Sequence, residues 1–584
     1  MRPAAAVPSA AFALVLLAGC TSGESSDDPA GAQAPEDTAS AVTAAPDATR
    51  TLVTDADPVA SAVSTSRALF RSSPVVVLAE AGDPAAQLLG ASAAVGLGVP
   101  LLLDDGSAAD DVLDPELDRL GVETVLAVGD ASVEGVDDVR AVPADVDAVG
   151  EVTGLDLDTA EPVAADGRVA AVAALDPESP AALEPAPEEP PAGESPAADP
   201  SASPSASPSA SRSSSAASSS EASSSEAAAT ELPDPLPEFD RGEPLVETLV
   251  VTSGSSDALA GVATARAAGA EVQLIEGTDP RASSELVDRL AAEPTVVVLG
   301  ADLGAEPGLE WKLDTAATGT QLPGGGQLLF PEHTMIALYG IPGSGALGLL
   351  GEQDLPASIA RAQQYADEYR PLVDNTVVPT FEIIATVASA SAGPDGNYSA
   401  EQDVETLRPW VEAAGEAGLY VVLDLQPGRT DFLTQAKQYE PLLELPYVGL
   451  ALDPEWRLGP NEVHLVQIGQ VGIDEVNQVV TWLADLTRDN ALPQKLLVLH
   501  QFQVRMIVDR ERLDTSRDEL AILVHVDGQG SQPAKQDTWA VLHRDAPEPL
   551  YWGWKNFIDE DVPMISPQET IETVQPTPEL VTYQ

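Results

Sequence analysis

The sequence predicts an α/β protein in two parts: an N-terminal doubly wound parallel-sheet module split by a disordered insert, then a C-terminal (β/α)8-type barrel. Three observations carry this. From residue 75, short apolar runs alternate with Ala/Leu-rich helical segments. The same alternation returns at residues 245–300 with matching punctuation, which marks an internal repeat. From residue 321, a longer strand–helix rhythm fills about 250 residues, the length of one barrel.

The first twenty residues read as an address. Arg2 is a minimal positive n-region, and an apolar run ends at Leu17-Ala18-Gly19-Cys20, with the only cysteine of the protein in last place. The run is too short to span a bilayer. The segment resembles the lipobox of bacterial lipoproteins. That resemblance implies a signal peptide over 1–19, acylation of Cys20 and attachment to the membrane through the lipid. Residues 20–64, rich in Ala, Ser, Thr, Asp and Pro, are expected to form a flexible tether.

Residues 65–175 form the first α/β unit. Val75-Val76-Val77-Leu78-Ala79 reads as a buried strand, residues 85–97 as a helix, Val99-Pro100-Leu101-Leu102-Leu103 as the second strand and residues 122–128 as the third. Residues 176–244 carry Ser-Ala-Ser-Pro repeats and Ser runs. They have too few apolar side chains to offset the entropy of ordering, so they are expected to be a disordered insert. Residues 245–310 form the second unit. Leu249-Val250-Val251-Thr252 is followed by Ser256-Asp257-Ala258-Leu259-Ala260, and Asp288-Arg289-Leu290 before Thr295 repeats Asp118-Arg119-Leu120 before Thr124. These two units resemble the cell-wall-binding repeat type 2 of Gram-positive surface proteins. Gly129-Asp130 and Gly300-Ala301 stand where that family has Gly-Gly. The resemblance implies attachment to the cell wall.

The barrel is expected over 321–575. Strands are expected at 335–341, 378–387, 419–425, 447–452, 495–502, 519–526 and finally 549–554, with one strand not visible. Barrel chemistry sits at the C-terminal ends of strands. The polar residues there are Glu382, Asp424, Gln426, Asp453, Glu455, His500, Gln501, Gln503, His525, Asp527, Trp552, Trp554 and Lys555. Asp453 and Glu455 are two apart on an extended chain and share a face. Crowded carboxylates split their protonation, leaving one acid and one base, as glycoside hydrolysis requires. The segment Val448-Gly449-Leu450-Ala451-Leu452-Asp453-Pro454-Glu455 resembles the strand-four signature Asp-Gly-x-Asp-x-Asp-x-Glu of family 18 glycoside hydrolases, with Val448 and Ala451 in place of its first two acids. The resemblance implies Glu455 as the acid, Asp453 as the residue that orients an acetamido group, and a tryptophan on the last strand, Trp552 or Trp554. The expected substrate-binding residues are Asp424, Gln426, His500, Gln503, His525, Asp527, Trp552 and Trp554.

A metal reading competes, with imidazole and carboxylate at His500, His525 and Asp527. Metal-dependent amidohydrolase barrels resemble this arrangement but carry His-x-His on strand one, where this chain has Leu338-Tyr339-Gly340. No cofactor and no metal are therefore assigned. Composition narrows the partners. With 94 Asp and Glu against 28 Lys and Arg, a net charge of −66 argues against nucleic acid. One cysteine leaves no intramolecular disulfide and no Cys-type zinc site. No Gly-x-Ser-x-Gly elbow or P-loop follows a strand. The expected protein is a lipid-anchored envelope protein whose barrel binds or hydrolyses a wall or environmental glycan. The alternatives are a non-catalytic wall-binding lipoprotein and, behind it, a metal-dependent hydrolase.

Overall fold

A computed structural model describes residues 38–106, 112–187 and 232–584. The lipobox-like segment and residues 188–231 of the expected insert lie outside the described residues.

The N-terminal module holds two four-stranded, all-parallel sheets. Its strands are β1 (Arg50–Val53), β2 (Val75–Glu80), β3 (Leu101–Asp104), β4 (Thr124–Val128), β5 (Asp138–Val142), β6 (Thr248–Thr252), β7 (Glu271–Leu274) and β8 (Thr295–Leu299). The sheet orders are β3-β2-β4-β5 and β7-β6-β8-β1. In each repeat the first strand lies between the second and third, so the repeat read in the sequence is a repeat in space. The helices α1 (Pro58–Leu69), α2 (Pro84–Leu97) and α3 (Leu259–Ala267) pack together and belong to one core shared by both sheets. Asp57 and Asp83 cap α1 and α2 by accepting backbone N–H bonds, each with proline in the first turn.

Two boundaries differ from expectation. The expected tether is folded from residue 38 onward: β1 pairs in parallel with β8 and completes the second sheet, and α1 begins at Pro58. The apolar content of 20–64 is low, but Val53, Val59, Ala62 and Val63 are buried and sufficient to dock it. Both flanks of the expected insert are also folded. Ala181–Ala182 pairs with Asp158–Thr159, the Leu236 amide donates to Val152, and Asp240 bridges to Ser40.

The C-terminal part is a closed barrel of eight parallel strands: β9 (His333–Gly340), β10 (Thr376–Ala388), β11 (Tyr420–Leu425), β12 (Val448–Leu452), β13 (Lys495–Gln501), β14 (Leu520–Val526), β15 (Tyr551–Asn556) and β16 (Leu580–Tyr583). Closure comes from β9, which pairs with both β10 and β16. The final strand is therefore not the one containing Trp552 and Trp554. It lies beyond residue 575, a four-residue strand after Pro576 and Pro578. Strand alternation divides the side chains. Met335, Val378, Val422, Ala451, Val498 and Leu523 fill the inside, while Leu338, Phe381, Leu423, Leu450, Leu499 and Val524 meet the helices outside. The barrel abuts the second sheet through buried Lys312, whose ammonium meets Glu306, Asp279 at 3.2 Å and Asp518 of the barrel at 2.8 Å.

Candidate active site at the barrel mouth

The apolar interior stops one layer short of the C-terminal rim. By the two-residue period, the next inward positions are Tyr339 on β9, Glu382 on β10, Asp424 on β11, Asp453 just after β12, His500 on β13, His525 on β14, Lys555 on β15 and Thr582 on β16. Each strand thus contributes one polar group to a single ring. All eight are buried.

The ring is organised by His500. Its Nδ1 lies 3.0 Å from Asp527 Oδ2 and its Nε2 2.8 Å from Glu382 Oε1, so it bridges two carboxylates. The Thr582 hydroxyl donates to the other Glu382 oxygen at 3.0 Å. Tyr339 donates its hydroxyl to Asp424 Oδ2 at 2.8 Å, and the Lys555 ammonium stands 3.5 Å from the centre of the Tyr339 ring. His525 packs edge-on to His500, ring centres 4.8 Å apart. Gly553 makes room for it: a Cβ there would stand 2.7 Å from His525 Cδ2.

These neighbours sort the protons. Burial tends to raise Glu382, but the facing histidines and Lys555 outweigh it and leave the carboxyl at about 2. Burial opposes charge on His500 as well, yet its bonds to Asp527 and Glu382 hold it well above the usual imidazole range. Asp527 is held low against its own burial by the same bond. Burial pushes His525 down to about 3. Asp424 goes the other way: burial, with Glu382 adding repulsion, takes it to about 6. Burial also lifts Asp453 well above the ordinary range, with Asp424, Asp527 and Glu455 repelling its charge.

Glu455 is the half-exposed member. It sits in the single helical turn Pro454–Trp456 after β12, which Asp453 caps: Asp453 Oδ1 accepts the Glu455 backbone N–H at 3.1 Å, so the chain is not extended here and the shared strand face expected for the two carboxylates is replaced by a turn. Burial, then the nearby Asp527 carboxylate, push it up to about 7 against the pull of Lys555 and His500. A cavity of about 620 Å³ opens over the ring, lined among others by Tyr339, Gln426, Asp453, Gln503, Asp527 and Lys555. A second cavity of about 360 Å³ adjoins it. Glu455, Trp456 and Leu465 line both. A cleft of about 640 Å³ lies at the opposite rim, and one of about 820 Å³ against the second sheet is lined by the Lys312 cluster, whose ammonium and carboxylates are already paired with one another.

The structure thus brings together Asp424, Gln426, Asp453, Glu455, His500, Gln503, His525 and Asp527. The Gln426 side-chain amide donates from Nε2 to the Tyr339 hydroxyl at 3.3 Å. Trp552 and Trp554 are a correction. They occupy outward positions of β15 and pack on Trp539 of α4 (Gln532–His543), ring centres 6.0 and 5.7 Å away. Trp554 is fully buried there, and His543 stacks on Trp552. The aromatic groups at the cavity are Tyr339, Trp456, Phe502 and Phe557 instead. Tyr339 and Thr582 are ring members that polarity at strand ends does not single out, and Glu382 and Lys555 are strand-end residues to which the sequence assigns no role. The signal for all four is parity with the apolar interior of the same strand.

No family model matches this chain, and no curated protein matches it. Among solved structures, one titled Cwp6 from Clostridium difficile aligns over 60% of this chain and 64% of its own, at 13% identity and a TM-score of 0.28. This chain spans less than two thirds of that structure's length, and the likeness carries no argument about activity.

Proposed function

We propose that this chain is a lipid-anchored cell-envelope protein whose barrel hydrolyses a glycan by acid–base catalysis. The observation that carries the reading is the place of Glu455: on the wall shared by two adjoining cavities, beside buried Asp453, with a carboxyl that titrates at about 7. A polymer lying across both cavities has one linkage at Glu455. A carboxyl that keeps its proton near neutrality is equipped to protonate the leaving oxygen of that linkage. Asp453, which lines the same cavity, holds a neighbouring acetamido group so that the substrate's own carbonyl attacks the anomeric carbon, the route implied by the family 18 resemblance. Trp456, Phe502 and Phe557 offer apolar faces for sugar rings. The envelope location is supported by Leu17-Ala18-Gly19-Cys20 and by the two wall-binding-like units.

The test is release of reducing ends from chitooligosaccharides and from purified peptidoglycan, comparing wild type with Glu455→Gln. Removing a positioned acid costs about 10²–10⁴-fold in rate, with binding retained. Wild-type turnover that survives the substitution removes Glu455 from the mechanism. Binding without turnover in the wild type assigns the barrel to glycan retention.

A further inference from the structure

We propose that Glu382, His500 and His525 form a binding site for one divalent first-row cation, zinc foremost, at the floor of the barrel mouth.

The case starts from unpartnered atoms. His525 is fully buried and neither of its ring nitrogens has a hydrogen-bond partner. Asp424 Oδ1 and Asp527 Oδ1 are also buried without a partner. Buried polar atoms are nearly always paired, and several bare ones at one point mark a missing water or ion. These atoms converge. His525 Nδ1 lies 3.8 Å from Glu382 Oε1, which lies 2.8 Å from His500 Nε2, and His500 Nε2 lies 3.9 Å from Asp424 Oδ1. One ligand atom from each of Glu382, His500 and His525 falls within 4.8 Å of the other two. A tetrahedral ion with bonds of about 2.0–2.2 Å needs its ligand atoms roughly 3–3.5 Å apart, so small rotations of these side chains suffice.

The surrounding bonds suit that role. Asp527 holds His500 Nδ1, which directs Nε2 inward, the carboxylate–histidine–metal relay. Thr582 holds the second Glu382 oxygen. Two imidazoles and one carboxylate, with Asp424 facing the open side, form the donor set of a zinc site that keeps a position for water. Charge agrees. In the loaded state, where both imidazoles are neutral ligands, the carboxylates of Glu382, Asp424 and Asp527 against the Lys555 ammonium leave two negative charges, which a dication cancels. On binding, the Nε2 proton that His500 shares with Glu382 leaves to solvent, and its lone pair goes to the metal.

The experiment uses the full chain stripped by a chelator, then titrated with Zn²⁺ alone by calorimetry in excess Ca²⁺, which occupies the acidic surface. The expected result is one Zn²⁺ per chain in the wild type and at least a 100-fold weaker Kd in His525→Ala and in Glu382→Gln. Asp527→Asn, which keeps the fold around His500 but loosens its orientation, is expected to weaken binding 10–100-fold. Co²⁺ loaded into the unmutated chain provides a readout independent of variant folding, since intense d–d bands report a four-coordinate site and separate it from the weakly coloured six-coordinate aqua ion. A wild-type Kd no tighter than that of folded His525→Ala, or a Co²⁺ spectrum identical to the aqua ion, overturns the proposal. Glu455→Gln is expected to keep full Zn²⁺ affinity, so metal binding and glycan hydrolysis succeed or fail separately.

Discussion

If Glu455 delivers a proton, the pH dependence of turnover is set by the groups that face it, and its sign can be worked out. Glu455 is active when protonated and titrates at about 7. As pH rises through 7 the donor form is lost. About one tenth of it remains at pH 8 and about one hundredth at pH 9, so kcat/KM is expected to fall about tenfold per pH unit on that limb. Asp527 repels the Glu455 charge, whereas Lys555 and His500 attract it, and Asp453 stands beside it as a buried acid. Replacing Asp527 by Asn removes repulsion, lowers the Glu455 titration and moves the limb to lower pH. Replacing Lys555 by Met removes an attraction and moves the limb to higher pH. The assay is kcat/KM for a soluble chromogenic chitooligosaccharide from pH 5 to 10, because that ratio reports titrations of the free enzyme. Shifts of the same sign in both variants, or a limb that stays in place in both, refute Glu455 as the titrating donor.

Four further outcomes are expected. Gly553→Ala places a methyl group against His525 and Leu523, an overpacking that costs about 1–3 kcal/mol, and thermal denaturation should register it as a drop of several degrees in Tm. Deleting residues 580–584 removes the strand that joins β15 to β9, so limited proteolysis should find the barrel open while the N-terminal module stays resistant. Glu116 is fully buried and bound by Ser66 at 2.7 Å, Arg67 at 2.9 Å and Arg119 at 2.6 Å, and since the two arginines reach solvent, Glu116→Ala should destabilise the N-terminal module in urea by about 1–3 kcal/mol, the loss of its charge-assisted hydrogen bonds. Cys20→Ala should move the protein from the membrane fraction to the medium, and a variant that stays membrane-bound contradicts lipid anchoring through that residue.

The architecture was legible because long apolar runs announce buried parallel strands, and because the repeated Asp-Arg-Leu before a strand fixes the second unit against the first. What escaped was held by few residues. Strand β1 is Arg50-Thr51-Leu52-Val53, with one fully buried side chain, and it earns its place by completing a sheet whose other strands lie about 200 residues away. Strand β16 is four residues long and stands at the end of the chain. Neither has a periodic pattern long enough to separate it from loop.

The site was half legible for a different reason. A list of polar residues at strand ends ignores which side of the strand each occupies, and in a barrel that parity decides everything. On β15, Trp552, Trp554 and Lys555 are neighbours in sequence, yet only Lys555 enters the mouth. The tryptophans follow the outward positions of an amphipathic surface and serve the packing of α4. On β9 the same rule runs the other way: Tyr339 follows Met335 and Ala337, both inside, and so must face the ring. Once the inside of one strand is fixed by its apolar residues, the hydrogen-bond registers of the closed sheet carry that assignment around all eight strands. Tyr339 pairs in register with Glu382, and His500 with His525. The chemistry at this mouth therefore follows from sheet geometry: the ring forms where the inward columns of the eight strands carry polar groups at a common level, with Thr380 on β10 the inward polar residue one layer deeper, and the groups that meet there share hydrogen bonds and charge.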